Sequence, residues 1–264
     1  MGDAATRWQA ALACWAIPQA ILDAAPVSPW VHLPGMHRLS ADDPIHTPSM
    51  RAALAALGDG GTVLDIGCGG GRSSVPLVRG GAHVTHLTGL DEQDDMLELF
   101  RAATSAATIT TSTVRGRWPD VEREVPVADV VVCHHVVYNV GDIEPFVRAL
   151  HAHAARAVVV ELTAHHPQTP LNGLWQHFWH LERPSEPSAT LFADVIRELG
   201  HDPVVTSFDR PARAAPVASA ELVAHLRQRL CLTADRDEEI AAALGDRPLL
   251  SADDLVTVTW SASD

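Results

Sequence analysis

Residues 63–71 read VLDIGCGGG, and this stretch decides the expected fold of the chain. Apolar residues around a single acid, Asp65, end in a run of glycines, and a further apolar segment follows at about 73–78. The pattern predicts a buried strand, a glycine-rich turn and a helix, in that order. Glycines let a ligand approach the backbone closely, and the start of a helix offers unpaired N–H groups. We therefore expect a ligand site at this turn.

On both sides of the turn, short apolar runs alternate with segments of helical periodicity. Thr47 followed by Pro48 is typical of a helix start, and this helix is expected to end at Gly58. Further strands are predicted at 84–90, 109–114, 128–133, 157–162, 204–208 and 255–260, and further helices at 94–103, 143–153 and 188–199. This alternation indicates an α/β fold with a parallel, doubly wound sheet covered by helices on both faces.

Three segments depart from the alternation. Residues 1–46 are predicted to form an N-terminal helical segment, and residues 47–264 the main domain. Insertions near 165–187 and 218–247 interrupt that domain. We expect the three segments to form a helical cap over the carboxyl ends of the strands, where ligands bind in open α/β sheets.

Two finer expectations concern these segments. One amphipathic helix that includes Trp8 should end near Pro18 or Asp23, because its apolar residues recur at helical spacing up to that point. Arg227 and Arg229 are expected on a solvated helix face. No internal repeat is present.

The composition excludes several classes of partner. The chain has 264 residues and a formal net charge of -14, and all of its cations are arginines. Because phosphate affinity comes from clustered cations, this charge disfavours a nucleic-acid partner or an anionic membrane surface. No apolar run reaches the roughly 18 residues of a membrane span, and no signal peptide is recognised. Four separated cysteines without a CxxC pair suit a reducing cytoplasm, and the lack of lysine is typical of a GC-rich, actinobacterial-type genome.

A second acid supports a nucleoside ligand. Asp91 ends the second predicted strand, where a carboxylate can accept hydrogen bonds from both ribose hydroxyls. The dinucleotide fingerprint G-x-G-x-x-G fails in both frames, since its last position falls on Arg72 or Ser74. The observed pattern at 65–71, Asp-x-Gly-x-Gly-x-Gly, resembles the first motif of the class I S-adenosylmethionine-dependent methyltransferases. The resemblance extends more weakly over about 47–165.

The resemblance implies a Rossmann-like doubly wound sheet of seven strands, six parallel and the last antiparallel. It implies an enzyme that uses S-adenosylmethionine as its cofactor. The methionine part would lie on the glycine turn, the ribose on a carboxylate, and the adenine beside the residues after the second and third strands. The residues concerned are Asp65, Gly67, Cys68, Gly69 and Gly71 for the methionine part, Asp91 for the ribose, and Glu92 and Met96 for the adenine.

The loop after the third strand departs from the family pattern. Arg117 stands close to the place where the family usually has an acid that contacts the adenine. Recognition of the adenine therefore stays open at this loop. Trp118, through its ring or its backbone N–H, is the contact that we expect instead.

Histidines are the candidates for proton transfer. His134 and His135 follow the fourth strand at the rim that faces the cofactor, and His134 is also a candidate cofactor contact. With His166 they could act as a base for a phenol or a carboxylic acid, because imidazole accepts protons near neutral pH. The alternative is a packed histidine at a strand end. We predict no metal, because no carboxylate or cysteine accompanies the pairs His165–His166 and His177–His180 at a recognised spacing.

Three functions are compatible with the sequence. The first is methyl transfer to a small molecule in a capped pocket, motivated by the acidic charge and the cap segments. The second is a methyltransferase for RNA or protein, which would need an open groove lined by arginines. The third is a protein that binds the cofactor or its demethylated product without catalysis. The segment HHVVYN at 134–139 lacks the Asn/Asp-Pro-Pro-aromatic tetrad of enzymes that methylate exocyclic amines, which disfavours DNA base methylation.

Overall fold

The computed structural model describes residues 2–30, 47–79, 83–105, 109–209, 220–244 and 254–262. The strands in these ranges are β1 (Gly61–Ile66), β2 (Val84–Asp91), β3 (Thr110–Arg115), β4 (Ala128–His134), β5 (Ala154–Thr163), β6 (Val204–Asp209) and β7 (Asp254–Ser261). The helices are α1 (Asp3–Ala13), α2 (Gln19–Ala24), α3 (Pro48–Leu57), α4 (Val75–Arg79), α5 (Asp94–Thr104), α6 (Ile143–Ala152), α7 (Asn172–Trp179), α8 (Ala189–Glu198), α9 (Ala220–Arg229) and α10 (Asp237–Leu244).

The seven strands form one sheet in the order β3-β2-β1-β4-β5-β7-β6. Neighbours among β1 to β5 pair in parallel, whereas β7 runs antiparallel to both β5 and β6. This confirms the Rossmann-like doubly wound sheet with an antiparallel last strand. Because β1, β4 and β5 are adjacent and parallel, the turn after β1 lies on the same sheet edge as the residues after β4 and β5.

Helices cover both faces of the sheet. Val131 in β4 packs into a core that includes residues of α1, α6 and α8, whereas Val130 and Val132 face a second core with residues of α3 and α5. Side chains alternate between the two faces of a strand, so a run of valines is buried on both sides. The helix start predicted at Thr47 is confirmed, since its hydroxyl accepts a hydrogen bond from the Met50 N–H at 3.2 Å.

The expectation of one N-terminal helix is wrong. Helix α1 ends at Ala13, and α2 begins only after Pro18. A proline inside a helix removes one backbone hydrogen bond and clashes with the preceding turn, so the apolar periodicity continues across two helices. In the break, Trp15 turns inward and donates from Nε1 to the Glu186 carbonyl at 2.5 Å.

The three segments expected to form a cap share a third apolar cluster, called here the cap cluster. It contains Ile17 from the N-terminal segment, Trp175 from α7 and Leu226 from α9. The guanidinium of Arg183 joins two of the segments by donating to the carbonyls of Trp15 and Ala16. The remaining parts of the predicted cap, residues 31–46 and 245–247, lie outside the described residues, as do 218 and 219.

Arg227 and Arg229 do not lie on a solvated face, and that expectation is wrong. Arg227 pairs with Asp237 at 2.6 Å and so joins α9 to α10. Arg229 donates to the Pro29 carbonyl at 2.7 Å, and burial lowers its pKa. A helical pattern gives the face of a residue but not the neighbour that covers it, and here other parts of the cap cover both arginines. No helix in the described ranges is long and apolar enough to cross a membrane.

Candidate functional site

The glycine turn after β1 has the backbone that only glycines adopt easily. Gly67, Gly69 and Gly71 have φ angles of 68°, 49° and 85°. A Cβ on Gly67 would lie 2.4 Å from a methyl group of Val136, whereas a Cβ on Gly69 would meet nothing within 4 Å. Gly67 is therefore required by packing, and Gly69 faces open space where a ligand could approach the backbone.

Asp65 lies fully buried beneath this turn. Its carboxylate accepts hydrogen bonds of 2.6 Å from the hydroxyls of Ser73 and Ser74, which lead into α4. Burial raises the pKa of Asp65 to about 6, against the opposing effect of the two serines. The carboxylate thus stabilises the turn through the two serines. Its negative charge would act on a ligand amine only across the turn, without direct contact.

Asp91 lies at the end of β2 and is partly exposed. Its Oδ2 accepts the Gly69 N–H at 3.0 Å, and its Oδ1 accepts the Gln93 N–H at 3.1 Å. Beside it, the N–H groups of Gly67 and Cys68 donate to the Leu90 carbonyl. The carboxylate predicted for the ribose is therefore in direct contact with the turn predicted for the methionine part.

The residues predicted for the adenine differ in their surroundings. Glu92 and Arg117 are exposed, whereas Met96 is buried at the first turn of α5. The Trp118 ring is 5% exposed, belongs to the main core and meets the His153 ring edge-on at 4.8 Å between centroids. This packing disfavours Trp118 stacking on an adenine and leaves its backbone N–H as the other predicted contact.

The segment after β4 approaches the glycine turn. Val136, which packs against Gly67, is the residue next to His135. His135 has φ 61° and is partly exposed at the sheet edge. A histidine in this left-handed conformation is uncommon and costs about 1–3 kcal/mol, so the surrounding structure must stabilise it.

A buried carboxylate on the next strand holds His135. Glu161 of β5 lies 3.2 Å from His135 Nε2 through its Oε1, and the Glu161 carbonyl accepts the His135 N–H at 2.7 Å. The other carboxylate oxygen accepts a hydrogen bond from the Ser49 hydroxyl, which also lies 2.9 Å from the Thr257 hydroxyl. Burial opposes the ionisation of Glu161, but the charge of His134 and the hydrogen bonds from His135 and Ser49 outweigh it and lower its pKa.

His134 pairs with Glu161 in the sheet register. Its Nε2 is buried and has no hydrogen-bond partner among the described residues. Burial lowers the pKa of His134 to about 4, although Glu161 partly opposes the shift. A ring with a pKa this low is a weak proton acceptor, which favours a packed residue over the predicted base.

His166 follows β5 and packs against aromatic rings. Its ring stacks on Trp15 at 3.8 Å between centroids and meets Tyr138 edge-on at 5.4 Å. Burial, with a smaller effect from Arg183, lowers its pKa to about 3. His134, His135 and the glycine turn therefore lie together, whereas His166 is engaged in cap packing.

Sequence reasoning missed Glu161, Ser49 and Thr257. Glu161 had a visible signal, because it is a lone charge between Val160 and Leu162 in a strand predicted to be buried on both faces. Ser49 and Thr257 had no sequence pattern that pointed to this contact, because they lie 112 and 96 residues from Glu161 in the chain. The packing of α3 and the pairing of β7 with β5 bring them next to Glu161.

The pair His177 and His180 lies at the C-terminal end of α7. His177 Nε2 is 2.9 Å from Glu239 Oε1 on the surface. Within the described ranges, no group of three or more histidine, cysteine or acidic side chains could hold a metal ion.

A cavity of about 440 Å³ lies near the carboxyl end of β5. Its lining includes His165 after β5, Ser188 before α8 and Ser207 in β6. The charged residues among the described lining are Arg7, Glu186 and Asp194, so the cavity is not a basic groove.

The comparisons with known proteins agree with this architecture. Residues 63–157 match a family model described as a methyltransferase domain. The structure resembles magnesium protoporphyrin IX methyltransferase from Synechocystis PCC 6803, solved with bound SAH, with a TM-score of 0.51, 16% identity and coverage of 81% of this chain and 80% of the other. It also resembles the YcgJ protein from Bacillus subtilis, with a TM-score of 0.52, 15% identity and coverage of 82% and 98%. No curated protein sequence matches the chain.

The sheet order and the helices on both faces define a Rossmann-like methyltransferase fold. The matched residues 63–157 contain the Asp-x-Gly-x-Gly-x-Gly turn and Asp91, so this part of the chain resembles a methyltransferase domain. The proteins that the structure resembles include a methyltransferase solved with bound SAH.

Proposed function

We propose that the chain transfers the methyl group of S-adenosylmethionine to a small-molecule acceptor, held between the glycine turn, residues 134–139 and the cap. The observation that carries this proposal is the cap cluster. Segments from three distant parts of the chain pack together, and the cap approaches the carboxyl edge of the sheet where His166 stacks on Trp15. A built cover of this kind suits an acceptor small enough to be enclosed.

The turn has the features that the cofactor needs. Gly69 leaves open space above a backbone with positive φ, and the partly exposed Asp91 carboxylate lies beside it. We assign Gly67, Cys68, Gly69 and Gly71 to the methionine part and Asp91 to the ribose. Asp65 would act by holding the turn in shape through Ser73 and Ser74, with its charge felt by the ligand ammonium.

Adenine recognition is assigned to the residues that follow β2 and β3. Glu92 and Met96 would border the ring from one side. Arg117 is exposed and Trp118 is packed in the core, so on this side we assign contact to the backbone of the loop. The adenine is therefore the part of the cofactor to which we assign the fewest side-chain contacts.

When bound, the cofactor supplies an electrophilic methyl group on a sulfonium. The protein then has to hold the acceptor in line with that methyl group and exclude water, and positioning of this kind can supply about 7–11 kcal/mol of the barrier reduction. Residues 134–139 and the cap would do this. A base is needed only where the acceptor is a weakly acidic hydroxyl.

The alternative acceptors are RNA and protein. The net charge of -14 disfavours RNA. A protein that only binds the cofactor or its product would share the turn but transfer nothing.

The test uses S-adenosylmethionine labelled in its methyl group, with a panel of phenols, carboxylic acids, amines and thiols beside total RNA and denatured protein. The proposal expects label in molecules that pass a 3 kDa filter, and none with Gly69→Val, in which a side chain fills the open space. Label confined to RNA or protein would refute the small-molecule acceptor. Binding of S-adenosylhomocysteine without any transfer would favour the non-catalytic alternative.

A further inference from the structure

A chain of polar contacts runs from the interior of the protein to the rim of the site. Thr257 and Ser49 lie at its inner end, Glu161 in the middle and His135 at the outer end. Ser49 is fully buried and Glu161 is 7% exposed, whereas the His135 side chain is 42% exposed. The chain of contacts therefore joins a buried negative charge to an accessible imidazole.

Burying a carboxylate is costly unless it is hydrogen-bonded, and a strand between two apolar cores gives no folding reason for one. Both carboxylate oxygens of Glu161 have a partner, Ser49 on one and His135 on the other. Removing Ser49 or His135 would leave the buried Glu161 carboxylate with one hydrogen-bond partner fewer. The arrangement fixes the orientation of Glu161 toward His135.

Glu161 also holds the backbone of His135. The Glu161 carbonyl accepts the His135 N–H at 2.7 Å, and this residue has the left-handed φ of 61°. The same residue therefore constrains the backbone and the ring of His135. With Nε2 directed at the carboxylate, Nδ1 is the nitrogen on the other side of the ring.

We propose that Glu161, held by Ser49, positions His135 so that its Nδ1 accepts a proton from an acceptor hydroxyl, which makes the reaction an O-methylation of an alcohol or phenol. This inference rests on the proposed function, because it assumes an acceptor beside residues 134–139. His135 is the catalytic base in this account, whereas Glu161 and Ser49 are positioning residues.

The step balances without a further reactant. The acceptor oxygen forms a bond to the methyl carbon, the methyl–sulfur bond breaks, and its electron pair stays on the sulfur. The hydroxyl proton moves to Nδ1 of His135, and the Glu161 carboxylate faces the imidazolium so formed. Release of the proton to water restores the neutral ring.

The charged and titratable groups around His135 are few in the described residues. Glu161 faces it from β5, and His134, which is neutral at neutral pH because burial lowers its pKa, precedes it in β4. Ser49 from α3 and Thr257 from β7 contribute only hydroxyls. The carboxylate is therefore the dominant charge next to the ring.

The first test needs no activity. Nitrogen-15 NMR of the imidazole rings at pH 8, with His135 assigned by its loss in His135→Gln, reports which ring nitrogen carries the proton. The proposal expects the proton on Nε2 and a bare Nδ1 in the intact protein. A proton on Nδ1 would overturn it, because the predicted base would then be unable to accept a proton.

The second test is kinetic. Glu161→Gln removes the charge at constant size, and we expect kcat for a hydroxyl acceptor to fall at least about tenfold, as part of the 10²–10⁴ that a general base contributes. The pH profile of kcat should differ from that of the intact protein, and the affinity for S-adenosylhomocysteine should stay within about twofold. Ser49→Ala should give a smaller change in the same direction.

Glu98→Gln is the control, because it makes the same substitution at an exposed glutamate of α5, outside the acceptor site that we propose. It should leave kcat and the pH profile unchanged. Transfer only to amines or thiols, or a Glu161→Gln profile equal to that of the intact protein, would overturn the O-methylation inference and leave the proposed function standing. No transfer to any acceptor would refute both.

Discussion

His166 makes the stability of the protein depend on pH in a way that one substitution should remove. The ring is 8% exposed, lies on Trp15 and faces Tyr138, and its pKa is lowered to about 3 by burial and by Arg183. The unfolded chain, whose histidines titrate near about 6.5, therefore binds the extra proton between these two values. The free energy of unfolding must fall as the pH falls through this window, because the unfolded chain binds a proton at His166 that the folded protein does not bind.

The magnitude follows from the same two values. At pH 5 the unfolded chain gains about 2 kcal/mol from protonating this one histidine, against a few tenths at pH 7. His166→Phe keeps an aromatic ring against Trp15 and removes the titration. The loss of unfolding free energy between pH 7 and pH 5 should therefore be about 2 kcal/mol smaller in the variant than in the intact protein.

The assay is urea unfolding followed by circular dichroism at both pH values. His134, whose pKa is also lowered by burial, contributes equally to both proteins and cancels in the difference. His177→Phe, at an exposed position on α7, is the control for the same substitution and should not reproduce the change expected for His166→Phe. An equal pH dependence in His166→Phe and the intact protein would refute the buried, neutral state of His166.

Two further predictions concern the turn and the cap. Gly67→Ala should lower the free energy of unfolding by roughly 2–4 kcal/mol, because φ is 68° and the new Cβ would lie 2.4 Å from Val136. Cofactor binding, measured by calorimetry, should be lost as well. An affinity equal to that of the intact protein would show that the turn has another role. Arg183→Ala removes the guanidinium that joins the segment after α7 to the break after α1, so KM for the acceptor should rise severalfold while S-adenosylhomocysteine affinity stays constant. A change in cofactor affinity alone would contradict the assignment of the cap to the acceptor.

The strands of the sheet could be predicted from the sequence, because the patterns that indicate them lie within short segments. Four apolar residues in β4 and the glycines after β1 indicate their structure without reference to the rest of the chain. The break at Pro18 was readable in principle, but the apolar periodicity on both sides of it favoured one helix. Strand positions therefore followed from periodicity, and helix boundaries depended on single residues.

The site was less accessible from the sequence, because its contacts join distant residues. Glu161 stood out as a charge in a buried strand, yet its partners Ser49 and His135 follow only from the packing of α3 and the register of β4 on β5. Trp118 was expected to contact the adenine through its ring or its backbone N–H, but its ring packs in the main core. Long-range packing decides such cases, and periodicity contains no information about it.

We propose that the turn after β1 and Asp91 together hold S-adenosylmethionine. The most direct test is calorimetric titration of S-adenosylhomocysteine into the intact protein, Asp91→Ala and the exposed control Glu98→Ala. The account predicts binding to the intact protein, unchanged affinity in Glu98→Ala, and at least about tenfold weaker binding in Asp91→Ala, because hydrogen bonds to a charged group contribute about 1.5–3 kcal/mol. Equal affinity in all three proteins, or no binding to the intact protein, would contradict it.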